Sequence, residues 1–416
     1  MKTVGSHWIA EVPSGWQIDT PRFAFSVRGD RAKPGMEQMT ASQQYGVIPQ
    51  SEYVKKTGSH VVVVEKDFSI LKAVYPGDFV IHMRSFQGGL ELSEVQGCTS
   101  SAYVMLIPGP QIHSARYYRW VFKCDGYINE LRSTSNLVRD GQAMRWANFI
   151  QVPIPFPPSE VQDSIAQYLD RETERIEELK NSIREQIDAL EAYKRSLILE
   201  TVTKGLHPNP ELVASKVDWL GDIPAHWSLR RLGTLFRVRN ERVSASSFEP
   251  LSVTKNGILP QLEHVAKTDY IDNRKLVRAG DFVINSRSDR RGSCGISPKD
   301  GSVSLINTVL TSRDSSEVSP YFGWLLHSEA FSDEFYRWGH GIVADLWTTN
   351  WDDMRRIVVP LPPAEEQDEI NEFLKRRTES LDSTIRAKRR QLELLDSYKQ
   401  SLIYEAVTGK KEVPTR

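Results

Sequence analysis

The same segment occurs twice in this chain, 205 residues apart. The first copy opens Pro155-Phe156-Pro157-Pro158-Ser159-Glu160-Val161-Gln162-Asp163 and the second Pro360-Leu361-Pro362-Pro363-Ala364-Glu365-Glu366-Gln367-Asp368. The match continues without a gap through Leu169/Leu374, Arg171/Arg376, Thr173/Thr378 and Leu190/Leu395. It closes on Tyr193-Lys194 and Ser196-Leu197-Ile198 against Tyr398-Lys399 and Ser401-Leu402-Ile403. A repeat of this length fixes the architecture before any single residue does. The chain is two copies of one unit, and its target is expected to have two equivalent halves.

Each copy ends in a long helix. In the first, Leu169, Ile176, Ile183, Leu190 and Leu197 fall at seven-residue steps, with Leu179 and Tyr193 three residues after members of that series. The second carries Leu374, Leu381, Leu395, Leu402 and Tyr398, with Lys388 breaking one step. Seven-residue spacing with Glu, Lys and Arg on the flanks predicts a coiled-coil seam. Pro157-Pro158 blocks an earlier start, and Ser159 with Gln162 reads as a capping box that Ala364 weakens in the second copy. Gly205 and Gly409 mark the ends. About 44 helical residues give roughly 66 Å per helix. Such a helix must pair, and the other copy's helix, running antiparallel, is the expected partner.

The globular parts repeat less closely. Trp8-Ile9-Ala10-Glu11-Val12-Pro13-Ser14-Gly15-Trp16 matches Trp219-Leu220-Gly221-Asp222-Ile223-Pro224-Ala225-His226-Trp227 at an offset of 211; Gly77-Asp78-Phe79-Val80-Ile81 matches Gly280-Asp281-Phe282-Val283-Ile284 at 203. Between these landmarks the middles (30–75 and 85–140, against 240–278 and 289–345) differ almost completely. Val61-Val62-Val63-Val64 and Asp281-Phe282-Val283-Ile284 predict short strands. The fold expected is α+β: two tandem pseudo-repeats, each a globular domain followed by a long helix, the helices pairing as an antiparallel coiled coil. The boundaries are 1–158, 159–205, 206–363 and 364–410, with a tail at 411–416.

The formal net charge is −1, but 1–158 carries 16 Lys+Arg against 13 Asp+Glu and 159–205 carries 7 against 11. Neutrality therefore permits local basic faces. No apolar run approaches the ~20 residues of a membrane span, and Met1–His7 lacks a signal-peptide stretch, so a cytoplasmic location is expected. Cys98, Cys124 and Cys294 have no C-x-x-C spacing. No nucleotide-cradling loop, methyltransferase loop or metal spacing of histidines occurs, and His82 reads as a surface or core residue. No catalytic residue and no metal site is expected.

The positive features point to DNA. After the Gly-Asp strand come Arg84 in the first copy and Asn285, Arg287, Arg290 and Arg291 in the second. Arg can fork onto O6 and N7 of guanine, and Asn can pair with adenine. Arg274, Lys275 and Arg278 form a cluster suited to phosphates, and Arg132, Arg139 and Arg145 are further candidates. Ordinary solvated arginines would look the same in sequence. Trp16 and Trp227 read as core anchors, and Gly-Asp as the shaper of the turn before the strand.

The duplicated W-x-G/A-x-[IV]-P-x-x-W head, the G-D-F-V-I strand, the P-P-x-E-x-Q helix start and the Y-K-x-S-L-I helix end together resemble the specificity (S) subunit of type I restriction–modification enzymes, over the full length. The resemblance implies two target-recognition domains, each reading one half of a bipartite site in double-stranded DNA. The paired helices then set the gap and dock two DNA adenine methyltransferase (M) subunits, and restriction (R) subunits join that core. It implies no cofactor in this chain, with S-adenosylmethionine, ATP and Mg²⁺ in the partner subunits. The alternative from another class is a coiled-coil protein-binding scaffold with no DNA role.

Overall fold

The computed structural model describes residues 1–3, 7–59, 68–135, 144–261, 273–314, 320–341 and 347–414. The Val61–Val64 run and Arg139 lie outside them. The chain divides into two compact units, Met1–Ile183 with Arg390–Arg416, and Arg184–Arg389. Each is thus built from both sequence repeats.

In the first unit a four-stranded antiparallel sheet runs in the order Phe25–Val27, Val104–Pro108, Phe79–Ile81, Glu91–Leu92. Strand residues alternate between faces. Phe79 and Ile81 therefore enter a large aromatic core with Phe25, Tyr117, Tyr118 and Phe122, while Val80 enters a smaller cluster with Met39, Val47, Val74 and Met105. The helices Ala115–Lys123 and Asp125–Ser133 supply the aromatic side of the large core.

The second unit repeats this plan. Its sheet runs Phe236–Val238, Asn307–Ser312, Phe282–Asn285, Cys294–Ile296. Phe282 and Ile284 join one core with Tyr321, Phe322 and Phe331, and Val283 joins the other with Leu251, Ile258, Val277 and Val309. The segments that diverge in sequence therefore keep the same second core. Val74 and Val80 recur as Val277 and Val283, while Met39, Val47 and Met105 give way to Leu251, Ile258 and Val309, so the apolar pattern is kept even where identities change.

The long helices run Ser159–Lys204 and Ala364–Val407. Within each unit they are antiparallel. In the first unit Lys180 Nζ bonds Asp396 at 2.5 Å and Lys399 Nζ bonds Glu177 at 2.8 Å. In the second, Lys194 Nζ lies 2.6 Å from Asp382 Oδ1, and Arg389 lies 2.8 Å from Glu191. As one number rises its partner's falls. Leu169, Ile176, Ile183, Leu374 and Leu402 are buried at the seam, and Leu190, Leu197, Leu381 and Leu395 are half-buried.

The companion positions are corrected. Leu179, Tyr193 and Tyr398 are 50%, 48% and 55% exposed. The inner residues lie four, not three, after the seven-residue series: Thr173, Lys180, Ile187, Thr378 and Ile385, all buried. Either step fits a 3.5-residue period, and the polar identity of Thr and Lys hid the one actually used. The capping box is corrected too. Pro158 at the helix entrance has no N–H to cap. Gln162 instead donates its amide to the carbonyl of Pro157 at 3.0 Å, and Gln367 does the same to Pro362 at 3.0 Å. The glutamine thus pins the strand-to-helix corner in both copies, and Ala364 costs nothing there.

At the helix ends Gly205 and Gly409 are left-handed, with φ of 76° and 70°. A Cβ at Gly205 would meet Trp227, and one at Gly409 would meet Trp16, which is why each copy ends on glycine. Trp16 and Trp227 are buried core members. No helix among the described residues is long and apolar enough to cross a membrane.

Candidate nucleic-acid interface

The Gly-Asp element sets where the central strand of each sheet emerges. Gly77 and Gly280 take φ of 93° and 90°, open to glycine at no steric cost. The buried Asp78 accepts two bonds from Arg28, both 2.7 Å, and one from the Tyr75 N–H at 2.9 Å. Asp281 accepts from Arg239 at 2.7 and 3.1 Å and from the Arg278 N–H at 2.8 Å. In both units this carboxylate hydrogen bond raises the pKa of the arginine it holds. The element is structural, and the strands it launches end at equivalent tips, His82-Met83-Arg84 in the first unit and Asn285-Ser286-Arg287 in the second.

The second tip gathers four of the expected residues. Asn285 Oδ1 accepts the Arg287 N–H at 3.0 Å. Arg287 Nε lies 3.0 Å from Asp289 Oδ1, and Arg290 Nε 3.8 Å from Asp289 Oδ2. Arg291 pairs with Asp333 and sits over the ring of Tyr336, 4.9 Å from its centroid. Tyr336 and Trp347 lie with ring centroids 5.8 Å apart, 32° between planes. Asn285, Ser286, Arg287, Arg291, Tyr336 and Trp347 line one small pocket. Asp333, Tyr336 and Trp347 were missed in the sequence. They stand more than 40 residues beyond the arginines, and no local pattern marks them.

The cluster ahead of that strand is not a surface site. Arg274 is buried, and its guanidinium donates to Ser302 Oγ at 2.9 Å and to the Ser302 carbonyl at 3.0 Å. Lys275 Nζ donates to the Asn307 carbonyl at 2.6 Å. Burial lowers both pKa values. These two side chains tie neighbouring strands together, and their donors face Ser302 and the Asn307 carbonyl rather than a phosphate. Arg278 is exposed but already pairs with Asp300 and covers the Phe248 ring at 5.1 Å.

In the first unit Arg84 is exposed beyond the strand end, and Arg132 reaches the same turn, its Nε donating to the Phe86 carbonyl at 3.1 Å. Arg145 stands apart, exposed at the start of the short helix Trp146–Phe149. His82 is buried, where the other unit has the half-buried Asn285. Its Nδ1 accepts the Arg84 N–H at 3.2 Å, and its Nε2 has no hydrogen-bond partner. Burial, with the charges of Lys123 and Arg84, lowers its pKa to about 4. Glu91 lies 3.9 Å away but is paired with Lys123. Among the described residues no group of His, Cys, Asp and Glu could hold a metal ion.

The two units thus share one frame and differ at the strand tips. Comparison with known proteins follows the same lines. The chain is 27% identical over 274 residues to the Methanocaldococcus jannaschii protein named "Putative type I restriction enzyme MjaX specificity subunit", covering 63% of this chain and 60% of that protein. It is 24% identical over 388 residues to the MjaVIII specificity subunit of the same organism, covering 87% and 83%. The chain is related to the type I specificity subunits. Its fold matches that of a chain in a type I R-M system assembly at a TM-score of 0.72, with 16% identity over 96% of this chain and all of that one. It also matches the HsdS subunit from Thermoanaerobacter tengcongensis at 0.54, with 18% identity over 96% and 98%. No protein-family model matches the sequence. The fold likeness covers 96% of this chain and so takes in both repeats and both long helices.

Proposed function

We propose that this chain is the DNA sequence-specificity subunit of a type I restriction–modification complex. The observation that carries the reading is one framework used twice, down to equivalent hydrogen bonds, while the residues at the two strand tips differ. A duplicated frame with unlike tips suits two unlike half-sites held at one spacing. In the first unit Arg84 and Arg132 are the contacts expected to face DNA, and in the second Asn285, Arg287, Arg290 and Arg291. The paired helices set the gap between half-sites and dock two methyltransferase subunits, one for each strand's adenine. Restriction subunits complete the complex in the cytoplasm. S-adenosylmethionine, ATP and Mg²⁺ belong to those partners, and this chain performs no catalysis.

The test is methylome sequencing of a host that expresses this chain with its neighbouring methyltransferase. A split motif carrying N6-methyladenine on both strands, lost when this chain is deleted, is the expected result. Methylation that does not depend on this chain, together with no binding of the purified assembly to that motif, would leave the protein-binding scaffold as the surviving alternative.

A further inference from the structure

Each arginine at the tip of the second unit is met by an aspartate. Asp289 stands 3.0 Å from Arg287 and 3.8 Å from Arg290, and Asp333 takes Arg291 at the edge of the pocket. Each contact engages one guanidinium nitrogen, Nε of Arg287 and of Arg290 and Nη2 of Arg291, out of the five N–H donors a guanidinium carries. What it removes is net charge. Phosphate attraction is charge against charge, so an arginine beside a carboxylate has less of it, and Asp289, shared by Arg287 and Arg290, offsets one of their two charges. The remaining donors still point in fixed directions and still suit neutral acceptors such as O6 and N7 of guanine. The ring of Tyr336 beneath Arg291 holds the guanidinium plane further. Trp347 beside it adds an apolar wall against which a base edge can pack.

We propose that the pocket between Asn285, Arg287, Arg291, Tyr336 and Trp347 reads a guanine-containing base pair of one half-site. Asp289 and Asp333 are positioning residues that keep its arginines off the phosphate backbone. This rests on the specificity-subunit reading and adds where the second unit reads and why its arginines come paired.

The test uses the full chain expressed with its neighbouring methyltransferase. The wild-type methylome supplies the two half-sites. Arg291→Ala should make one guanine position in one half-site degenerate, with preference there falling about tenfold, while the other half-site stays intact and reports that the complex is folded. Arg291→Lys keeps the charge but not the fork and should degenerate the same position. Asp333→Asn should tighten binding of the purified assembly to a scrambled duplex several-fold. Between about 50 and 200 mM salt it should steepen the slope of log affinity against log salt by about one. If Arg291→Ala leaves every motif position intact, or weakens all sequences alike, the pocket is not a base reader and the proposal fails while the subunit's function stands. An unchanged salt slope for Asp333→Asn overturns the positioning role. A wild-type chain that directs no bipartite methylation overturns both the proposal and the reading beneath it.

Discussion

The hydroxyl of Tyr117 donates to the backbone carbonyl of Val407 at 2.8 Å, across 290 residues of sequence. Its counterpart, Tyr321, donates to the carbonyl of Val202 at 2.7 Å. Val202 and Val407 are themselves equivalent, 205 residues apart. Each globular part is therefore closed by the end of the helix that belongs, in sequence, to the other repeat. Removing either hydroxyl leaves a buried carbonyl one donor short. Tyr117→Phe and Tyr321→Phe should each cost about 1–2 kcal/mol, read as matching shifts of the urea midpoint of the full chain.

A single repeat cannot complete its own core. In the first unit Leu402, Ile403, Ala406 and Val407 pack with Ile9, Tyr117 and Leu169, and a chain ending at residue 205 lacks them. Its own helix carries the equivalents Leu197, Ile198, Thr201 and Val202. Residues 1–205 should therefore associate as a symmetric dimer in which each copy lends its helix end to the other. Light scattering after size exclusion should return twice the monomer mass; a well-folded monomer would contradict the shared core.

The seam carries charge where a coiled coil usually carries leucine. Lys180 is buried with its ammonium on Asp396, whose side chain is 61% exposed. Asp396→Ala should cost about 1 kcal/mol, discounted because the acid is open to solvent. Lys180→Met should be neutral or mildly stabilising in urea titrations. A large loss on Lys180→Met would assign the lysine a role beyond pairing.

His82 predicts a pH effect. Its pKa, lowered to about 4 by burial, lies below the usual 6.5, so the unfolded chain takes up the proton first as pH falls. The stability from keeping the ring neutral is whole above about pH 6.5 and is lost between there and pH 4. At pH 5 this group should account for about 2 kcal/mol of loss. His82→Asn, which copies the other unit, should flatten the difference between pH 7 and pH 5. Glu91, Lys123 and Arg84 around the ring are common to both proteins, so the comparison isolates the imidazole.

The helices should act as the spacer. A seven-residue insertion between Ile183 and Ile187, matched by one between Lys388 and Leu392, lengthens the pair by about 10.5 Å. The gap in the methylated motif should grow by about three base pairs with both half-sites unchanged. An altered half-site with an unaltered gap would sink this role.

Much of this was legible in the sequence because hydrophobic periodicity survives substitution. Leu169, Ile176 and Leu374 announced the seam, and the P-P-x-E-x-Q run announced the start of each long helix, though not the strand before it. What the glutamine does there was not legible, since its bond to the Pro157 carbonyl depends on how the corner folds back. Arg274 and Lys275 misled for a related reason. A basic residue on a strand looks like a surface residue until Ser302 and the Asn307 carbonyl close over it. The pocket at the second tip was half legible: Arg287 and Arg291 were, while Asp333 and Tyr336 come from a helix that only the fold brings near.

The shared helix ends also dictate an order of events during synthesis. A ribosome moving along this message completes the core of residues 184–389 while the first globular part, made earlier, still lacks its closing strip. That strip, ending at Val407, is translated only after the second globular part. Of the two cores, the one begun first is thus the one finished second, and its aromatic side chains stay uncovered until the second long helix has been made.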